Sequence, residues 1–313
     1  MHAPPPVRQD DPVTAAPPPA ADELLAIAAR ATAADRVEPF SEATRLALRH
    51  TEPQHVIRTD GAVTAGAYVA DDGSAEIVVD PDHRRRGHGE RLATEVLEQR
   101  PDARLWAHGD LLGARAIADK LGLQVVRNLW QMRRAVDADP QIAAPQVPEG
   151  FTARTFRPGD EDAWLDLNAR AFVHHPEQGR MTRADLDERM SEEWWDPQGL
   201  ILIVDDTTGD PAASAPPPAE ARGLAPAGIV ASHWTKIEPA DPAEGEVYVV
   251  AVDPGRQGHG LGKVVTALGL QHLKSRGVQR ISLYVEGDNE PAVATYTRLG
   301  FARSAVDVMY ARP

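Results

Sequence analysis

The sequence predicts an α/β protein in which one domain occurs twice. The first observation is a glycine-rich stretch present in two copies, VDPDHRRRGHG at residues 79–89 and VDPGRQGHGLG at residues 252–262, which align without a gap. The second is the order of predicted elements around each copy, namely strand, glycine turn, helix, strand, helix, Leu-Gly and strand. The third is the length of 313 residues, because a domain averages roughly 150 residues.

The second copy has the clearest pattern. Runs of β-branched and aromatic residues predict strands at residues 151–156, 199–206, 227–236, 246–254, 280–288 and 301–312. Amphipathic spacing predicts helices at residues 160–172, 263–277 and 290–300. Gly277 and Gly300 are typical helix stops, and Pro291 is suited to the first turn of the last helix.

The first copy repeats this order of elements. Strands are predicted at residues 61–70, 74–81, 103–109 and 123–134, and helices at residues 90–100 and 113–122. The two copies therefore indicate an internal duplication of one α/β domain.

Segments rich in proline and small residues mark the predicted boundaries. We expect a disordered tail at residues 1–20, an N-terminal domain at 21–139, a linker at 140–150 and a C-terminal domain at 151–313. A Pro/Ala-rich segment at residues 209–228 separates two predicted strands, and we interpret it as a mobile loop inside the second domain.

Composition excludes several functional classes. The formal net charge of −14 disfavours nucleic acid and anionic membranes as partners, because both attract basic surfaces. The sequence has no cysteine, which excludes disulfides, thiolate metal sites and cysteine nucleophiles. It has neither a secretory signal nor a stretch of ~18 apolar residues, so we expect a cytoplasmic protein. The short connections predict a monomer.

Several histidines raise the question of a metal site. They are His88, His108, His174, His175, His233 and His259. Because the adjacent pair His174 and His175 lacks partner cysteines or carboxylates at ligand spacing, we predict no metal. The two histidines inside the glycine turns, His88 and His259, are expected to face phosphate or solvent.

The glycine turns have the features of an anion site. A strand ending at Asp-Pro, a turn without side chains and a following helix leave backbone N–H groups where the helix dipole favours an anion. Arg85 and Arg86 in the first copy and Lys263 in the second add positive charge. The spacing excludes a Walker turn, since Gln257 and Val264 occupy two of its defining positions. It also lacks the third glycine of the dinucleotide fingerprint.

The remaining pattern, Gln/Arg-x-x-Gly-x-Gly after a strand ending in Val-Asp-Pro, resembles the pyrophosphate-binding turn of the GNAT family of acyl-CoA N-acetyltransferases. A second signature of that family follows in Asn289, Ala292, Tyr296 and the Leu-Gly-Phe at residues 299–301. The resemblance implies two tandem GNAT domains, each a mixed, mostly antiparallel twisted sheet flanked by helices. It also implies acetyl-CoA as co-substrate.

A closer resemblance is to the mycothiol synthases, a family of tandem GNAT enzymes. It rests on the short blocks WAHG (106–109), QMRR (131–134), HPEQG (175–179), HWTK (233–236), GEVYVVAVDP (245–254) and LYVEGDN (283–289). It extends from Glu42 to the C-terminus, except for the loop at residues 209–228. The implied reaction transfers acetyl from acetyl-CoA to the cysteinyl amine of cysteinyl-glucosaminyl-inositol, the last step of mycothiol biosynthesis.

The resemblance implies roles for individual residues. Glu246 is the implied general base and Tyr296 the implied general acid, while the backbone N–H groups of Val250 and Val252 are expected to support the thioester carbonyl. The implied substrate contacts are Glu42, Glu177, Lys236, Glu246 and Tyr284. The implied acetyl-CoA contacts of the second copy are Val250, Ala251, Val252, Gln257, Gly258, His259, Gly260, Leu261, Gly262, Lys263, Asn289, Glu290, Pro291, Ala292, Val293 and Ala294. Those of the first copy are Ile77, Val78, Val79, Arg85, Arg86, Gly87, His88, Gly89 and Glu90.

The first copy lacks the side chains assigned to chemistry in the second. Aligned at the turns, Glu246 falls on Gly73, and aligned at the Leu-Gly that follows the last helix, Tyr296 falls on Ala118. We therefore expect the first copy to hold acetyl-CoA without transferring acetyl, and to contribute Glu42 to substrate binding.

Three alternatives stay open on sequence alone. Glu76 lies three residues after Gly73, on a predicted strand of the first copy, at a position that does not align with Glu246, and could still act as a base. The amine could instead belong to an aminoglycoside or a peptide N-terminus. The chain could also be an acetyl-CoA-binding module without catalytic activity, although the presence of Glu246 and Tyr296 in one copy disfavours that.

Overall fold

The structure is a computed structural model that describes residues 19–137, 145–173, 178–207 and 228–313. The predicted tail up to residue 18, the predicted mobile loop up to residue 227 and Glu177 lie outside the described residues. The chain forms two compact units. The first contains the chain up to Asn128 together with Asp307–Pro313, and the second contains Leu129–Val306.

The first unit is a mixed sheet with helices on both faces. Its helices are α1 (Ala20–Asp35), α2 (Glu42–Ala47), α3 (His88–Gln99) and α4 (Leu112–Lys120). Its strands are β1 (His55–Thr59), β2 (Ala62–Val69), β3 (Ser74–Val79) and β4 (Arg104–Ala107), with the beginning of β5 (Gln124–Ala135) and the end of β11 (Ala302–Ala311). The order is β1-β2-β3-β4-β11, in which only the β3–β4 pair is parallel.

Two apolar layers hold this sheet. On one face Leu92 of α3 packs with Ala65 of β2, and on the other Leu24 of α1 packs with Val63 of the same strand. The β1–β2 register shifts at Thr64, so Val63 and Ala65 face opposite sides of the sheet and are buried under α1 and α3 respectively. Each buried leucine contributes roughly 1.5–3 kcal/mol, so both helices are integral to the unit.

The second unit has the same plan. Its helices are α5 (Glu161–Ala171), α6 (Arg183–Met190), α7 (Leu261–Ser275) and α8 (Glu290–Arg298). Its strands are β6 (Phe151–Thr155), β7 (Leu200–Asp205), β8 (Ile229–Lys236), β9 (Glu244–Val252) and β10 (Arg280–Glu286), with the remaining parts of β5 and β11. The order is β5-β10-β9-β8-β7-β6, in which only the β9–β10 pair is parallel.

The second sheet is also covered on both faces. Trp164 of α5 packs against Trp234 of β8 with ring centroids 5.3 Å apart. On the opposite face, Val265 of α7 packs with Ile203 of β7. These layers fix the ends of β8, β9 and α7, the elements that carry most of the predicted site residues.

Each sheet includes a strand segment from the other half of the sequence. In the second unit, residues 129–135 of β5 pair antiparallel with β10 along Arg280–Glu286. In the first unit, Val308–Tyr310 of β11 pair antiparallel with β4. The predicted linker at residues 140–150 separates the two repeats along the chain, and its residues 140–144 lie outside the described residues.

The predicted fold class is confirmed, because each unit is a mixed, mostly antiparallel sheet flanked by helices. The structure also contains α1, α2, β1 and α6, which the sequence analysis did not predict. A signal for α1 was present, since its buried residues Leu24, Ile27, Ala28 and Ala31 follow helical spacing.

Candidate active site

The second glycine turn lies between β9 and α7. The Asp253 carboxylate accepts a hydrogen bond of 2.8 Å from the Gly255 N–H in a single 3-10 turn. Gly258 and Gly260 follow with φ of +88° and +75°, a conformation that favours glycine. Gly260 directly precedes α7, and the first N–H groups of a helix have no acceptor within the helix. These donors form an anion site at the positive end of the helix dipole.

The turn has room for a phosphate group. A Cβ atom at Gly258 or Gly260 would meet no other atom within 4 Å. His259 and Lys263 are exposed beside it. The Leu261 side chain is buried in the core under α7, so this residue can offer a ligand only its backbone. The residues of the turn therefore fit the pyrophosphate predicted for them.

Beyond the turn, β9 and β10 separate. Their parallel pairing joins Glu244–Val247 to Arg280–Leu283, while β9 continues to Val252 and β10 to Glu286. On its other side β9 has a bulge at Tyr248, since the β8–β9 register passes from Trp234 opposite Val249 to Thr235 opposite Val247. Val250 and Val252 lie on the part of β9 beyond this pairing, beside the opening between the two strands, which we call the slot.

Glu246 lies at the end of the paired segment of β9. Its Cα partners are Lys236 on β8 and Ser282 on β10, and its side chain is half-buried. This register brings Glu246 and Lys236, both implied by the resemblance, side by side next to the slot.

Tyr296 lies on α8, in the same unit as Glu246. Its ring packs edge-on against Phe301 with centroids 5.7 Å apart. Burial raises the pKa of Tyr296 to about 12, so its hydroxyl keeps its proton at neutral pH. Asn289 caps α8, because its side-chain oxygen accepts a hydrogen bond from the Ala292 N–H at 3.2 Å.

The other predicted substrate contacts differ in their surroundings. Lys236 is only 5% exposed and forms an ion pair of 2.6 Å with Glu238. Tyr284 is 46% exposed, and its hydroxyl accepts a hydrogen bond from the Gln131 amide at 3.0 Å. Glu42 is the first residue of α2 in the first unit, and its role in substrate binding stays a prediction.

The first glycine turn repeats the geometry of the second. The Asp80 carboxylate accepts a hydrogen bond from the Asp82 N–H, and a 3-10 turn follows. Arg85 and Gly87 align with Gly258 and Gly260, and their φ angles are +62° and +85°. Even the supporting ion pairs match. Arg30 of α1 binds Asp80, as Arg170 of α5 binds Asp253.

The side chains around the first turn are different. Arg84 binds both oxygens of Asp35 at 2.7 Å, and its pKa is raised by this hydrogen-bonded pair. Arg85 and Arg86 are exposed, and Arg86 donates to the Asp82 carbonyl. Of the remaining predicted contacts, Val78 is buried and the others are half-buried or exposed.

The positions that match the catalytic residues cannot replace them. Gly73 has φ of +89°, and a Cβ there would lie 3.2 Å from the Arg100 guanidinium. Ala118 is only 3% exposed. Glu76 is buried, accepts a hydrogen bond of 2.8 Å from the Ser41 N–H and lies 3.4 Å from His108. Glu76 is thus engaged inside the unit, which argues against its acting as a base.

The sequence analysis missed residues around Lys236. Its ammonium lies over the rings of Trp194 and Tyr248, at 4.7 and 5.3 Å from their centroids. Arg189 donates to the Tyr248 hydroxyl at 3.0 Å. A signal existed for Tyr248, which stands two residues after Glu246 on a strand, but nothing local points to Trp194 or Arg189.

The described residues provide neither a metal site nor a membrane span. Among them, no three His, Asp or Glu side chains come together in a group that could hold a metal ion. None of the helices in the described ranges has the length and apolar character needed to cross a membrane.

Sequence comparisons agree with the geometry of the second unit. The profile of the Acetyltransferase (GNAT) family matches residues 162–301. The mycothiol acetyltransferase of Kytococcus sedentarius is 46% identical over 291 residues, covering 92% of each chain. The mycothiol acetyltransferase of Thermomonospora curvata is also 46% identical, covering 93% of each chain.

Solved structures share the fold. A tandem GNAT protein from the clavulanic acid biosynthesis pathway has a TM-score of 0.67 at 19% identity, covering 93% of this chain and 94% of that one. A GCN5-related N-acetyltransferase from Sphaerobacter thermophilus has a TM-score of 0.63 at 24% identity, covering 94% and 93%. At this identity the likeness concerns the fold alone.

Proposed function

The chain belongs to the mycothiol acetyltransferase family of GNAT enzymes, and from this premise we propose that it acetylates the cysteinyl amine of cysteinyl-glucosaminyl-inositol with acetyl-CoA. This is the last step of mycothiol biosynthesis. The observation that carries the proposal is that a single unit combines the glycine turn, the separation of β9 from β10, Glu246 and Tyr296. Acetyl transfer to an amine needs each of these parts.

Acetyl-CoA would be held by the turn and by the separated strands. When bound, it supplies the acetyl group as a thioester that an amine can attack. The N–H groups at the start of α7 would bind the pyrophosphate, with Lys263 adding charge. The backbone N–H groups of Val250 and Val252 would donate to the acetyl carbonyl oxygen, where negative charge develops.

Glu246 is the proposed general base. An amine attacks only when it is neutral, so a group near the slot must take its proton, directly or through a water molecule. The Glu246 carboxylate sits one residue before the strands separate. It can also attract the incoming ammonium form of the substrate before deprotonation.

Tyr296 is the proposed donor to the leaving sulfur. Its pKa of about 12 exceeds the ~8.5 of a thiol, so full proton transfer to a thiolate is uphill in the resting enzyme. A hydrogen bond from the protonated hydroxyl can still stabilise the negative charge that develops on sulfur. We infer that this hydrogen bond is the main contribution of Tyr296.

The first unit is proposed to hold acetyl-CoA without transferring acetyl. Its turn has the backbone geometry of an anion site, but Gly73 and Ala118 stand where the second unit has Glu246 and Tyr296. The cytoplasmic location and monomeric state expected from the sequence stay predictions.

The test is a competition among amines. Purified protein is incubated with acetyl-CoA and cysteinyl-glucosaminyl-inositol, beside a panel of aminoglycosides and peptides. Products are resolved by mass, because the substrate carries a thiol that reacts with dyes for coenzyme A. Acetylation of the cysteinyl compound alone supports the proposal. Acetylation of a panel member instead favours another amine, and acetyl-CoA binding without any product favours a binding module.

A further inference from the structure

Lys236 is an unusual lysine for a strand end. Its side chain is 5% exposed, its ammonium lies 4.7 Å from the centre of the Trp194 ring and 5.3 Å from that of Tyr248, and it pairs with Glu238 at 2.6 Å. Removing an ammonium from water costs several kcal/mol unless it is paired. A methionine would fill the same space without that cost, so the position is one where a charge has a use.

The aromatic rings around this charge are themselves held in place. Trp194 is 6% exposed and packs against Tyr248 with centroids 5.2 Å apart. The Tyr248 hydroxyl accepts a hydrogen bond from Arg189 of α6. Tyr248 is also the bulge residue of β9, so the strand that carries Glu246 turns its extra residue toward Lys236.

We propose that Trp194 and Tyr248 are positioning residues that hold the Lys236 ammonium beside Glu246 for a hydrogen bond to an oxygen of the amine substrate. An ammonium has three N–H donors and can bind Glu238 and a substrate oxygen together. Cation–π attraction fixes the direction of a side chain that otherwise has many rotamers. The inference rests on the proposed function, in which Lys236 is a substrate contact.

The main experiment measures steady-state kinetics of Trp194→Leu with both substrates. We expect KM for cysteinyl-glucosaminyl-inositol to rise about tenfold, the effect of losing one buried cation–π contact. KM for acetyl-CoA and kcat should stay within about twofold, because the glycine turn and Glu246 are unchanged. Trp194→Phe keeps a ring and should recover most of the lost affinity. If Trp194→Leu does not fold, the same comparison is made between Trp194→Phe and Tyr248→Phe.

A double-mutant cycle shows whether the Trp194 ring affects KM for the amine through Lys236. In a Lys236→Met background, Trp194→Leu should change KM for the amine by less than about twofold. An equal rise of KM in both backgrounds would mean that Trp194 acts by packing alone and would overturn the inference.

A matched tyrosine pair separates local from general effects. Tyr248→Phe removes the bond to Arg189 and should raise KM for the amine about two- to threefold. Tyr310→Phe removes a comparable bond to Asp110 in the first unit and should leave KM unchanged.

If Lys236→Met leaves KM for the amine unaltered while acetylation continues, the inference fails and the proposed function stands. If the wild-type protein does not acetylate the cysteinyl compound, both fail.

Discussion

The two glycine turns share one backbone and support different chemistry. Asp80 and Asp253 accept equivalent hydrogen bonds, and the residues at the positions of Gly258 and Gly260 have positive φ in both copies. Binding an anion uses mainly backbone N–H groups, which any sequence with this backbone provides. The proposed acetyl transfer needs a carboxylate and a hydroxyl at defined points, and the first copy has Gly73 and Ala118 at the positions aligned with Glu246 and Tyr296. Duplication can therefore preserve a backbone geometry while the side chains proposed for catalysis stand in one copy.

In the first unit a buried ion network lies near the end of the β3–β4 pairing. His108 lies 3.4 Å from Glu76 and 3.1 Å from Asp307 of β11. Burial alone would lower the pKa of His108, but the hydrogen bond to Asp307 and the attraction of the Asp307 and Glu76 carboxylates outweigh it and raise the pKa to about 10. The same network holds the pKa of Glu76 below its usual value against the opposing effect of burial. Carboxylates and histidines can act as acids or bases in active sites, but in this network they link neighbouring strands of the first unit.

The largest contrast is expected between two glutamates. Glu246→Gln removes the proposed base and should lower kcat/KM about 10²–10⁴-fold. Glu76→Gln should leave acetyl transfer nearly unchanged and lower thermal stability, because it disrupts the contact with His108. Rates are measured by mass-resolved product formation, and unfolding by calorimetry. An equal loss of turnover in both variants would place a catalytic carboxylate in the first unit.

A second contrast concerns two buried histidines with opposite pH dependence. Burial depresses the pKa of His233 to about 4 from an unfolded value near ~6.5. Below pH ~6.5 the unfolded chain binds a proton that the folded protein does not, so about 3 kcal/mol of stability is lost as pH falls to 4. Urea unfolding of wild type and His233→Gln across this range measures it, and the variant should have the shallower slope.

The pH dependence of stability that His108 contributes has the opposite sign. Its raised pKa stabilises the fold fully below pH ~6.5, and this contribution is lost as pH rises through about 10. An acid limb that persists in His233→Gln would assign the loss to another group.

A third contrast uses the tyrosine position. Tyr296→Phe removes the proposed donor to sulfur and should lower kcat about tenfold or more, with KM for acetyl-CoA little changed. Ala118→Tyr should not create activity in the first unit. Since Ala118 is buried, the added ring should instead destabilise the protein by about 1–3 kcal/mol. Full kcat in Tyr296→Phe would remove the residue from the mechanism.

The smallest contrast is between the turns themselves. Gly260→Ala places a side chain at φ of +75° and should raise KM for acetyl-CoA about fivefold, by strain of ~1 kcal/mol in the turn that holds the ligand. Gly87→Ala introduces the same strain at +85° and should leave that KM unchanged. A rise of KM in Gly87→Ala would show that the first turn contributes to turnover.

Much of the fold follows from local patterns. The strand predicted at 246–254 and the helix predicted at 263–277 lie within two residues of β9 and α7. Both were predictable because the hydrophobic periodicity of a strand or a helix is contained in a short segment of the chain. The first helix was missed although its apolar spacing is helical. The backbone of the glycine turn follows from the sequence, because Asp-Pro and glycine encode it directly, whereas its role in binding acetyl-CoA stays a prediction. Sequence reasoning covers only such local features. It could not place Lys236 beside Glu246, since that requires the register of β8 on β9.

By itself, the sequence determined the duplication, the two glycine turns and the presence of Glu246 and Tyr296 in the second copy where the first has Gly73 and Ala118. These properties depend on residues close together in the chain, where glycine, proline and aspartate restrict the backbone. Only the tertiary structure decided that residues 129–135 of β5 pair with β10, that Glu76 is engaged with His108, and that the ammonium of Lys236 lies over the rings of Trp194 and Tyr248. Those contacts join residues far apart in sequence, and packing rather than local conformational preference brings them together.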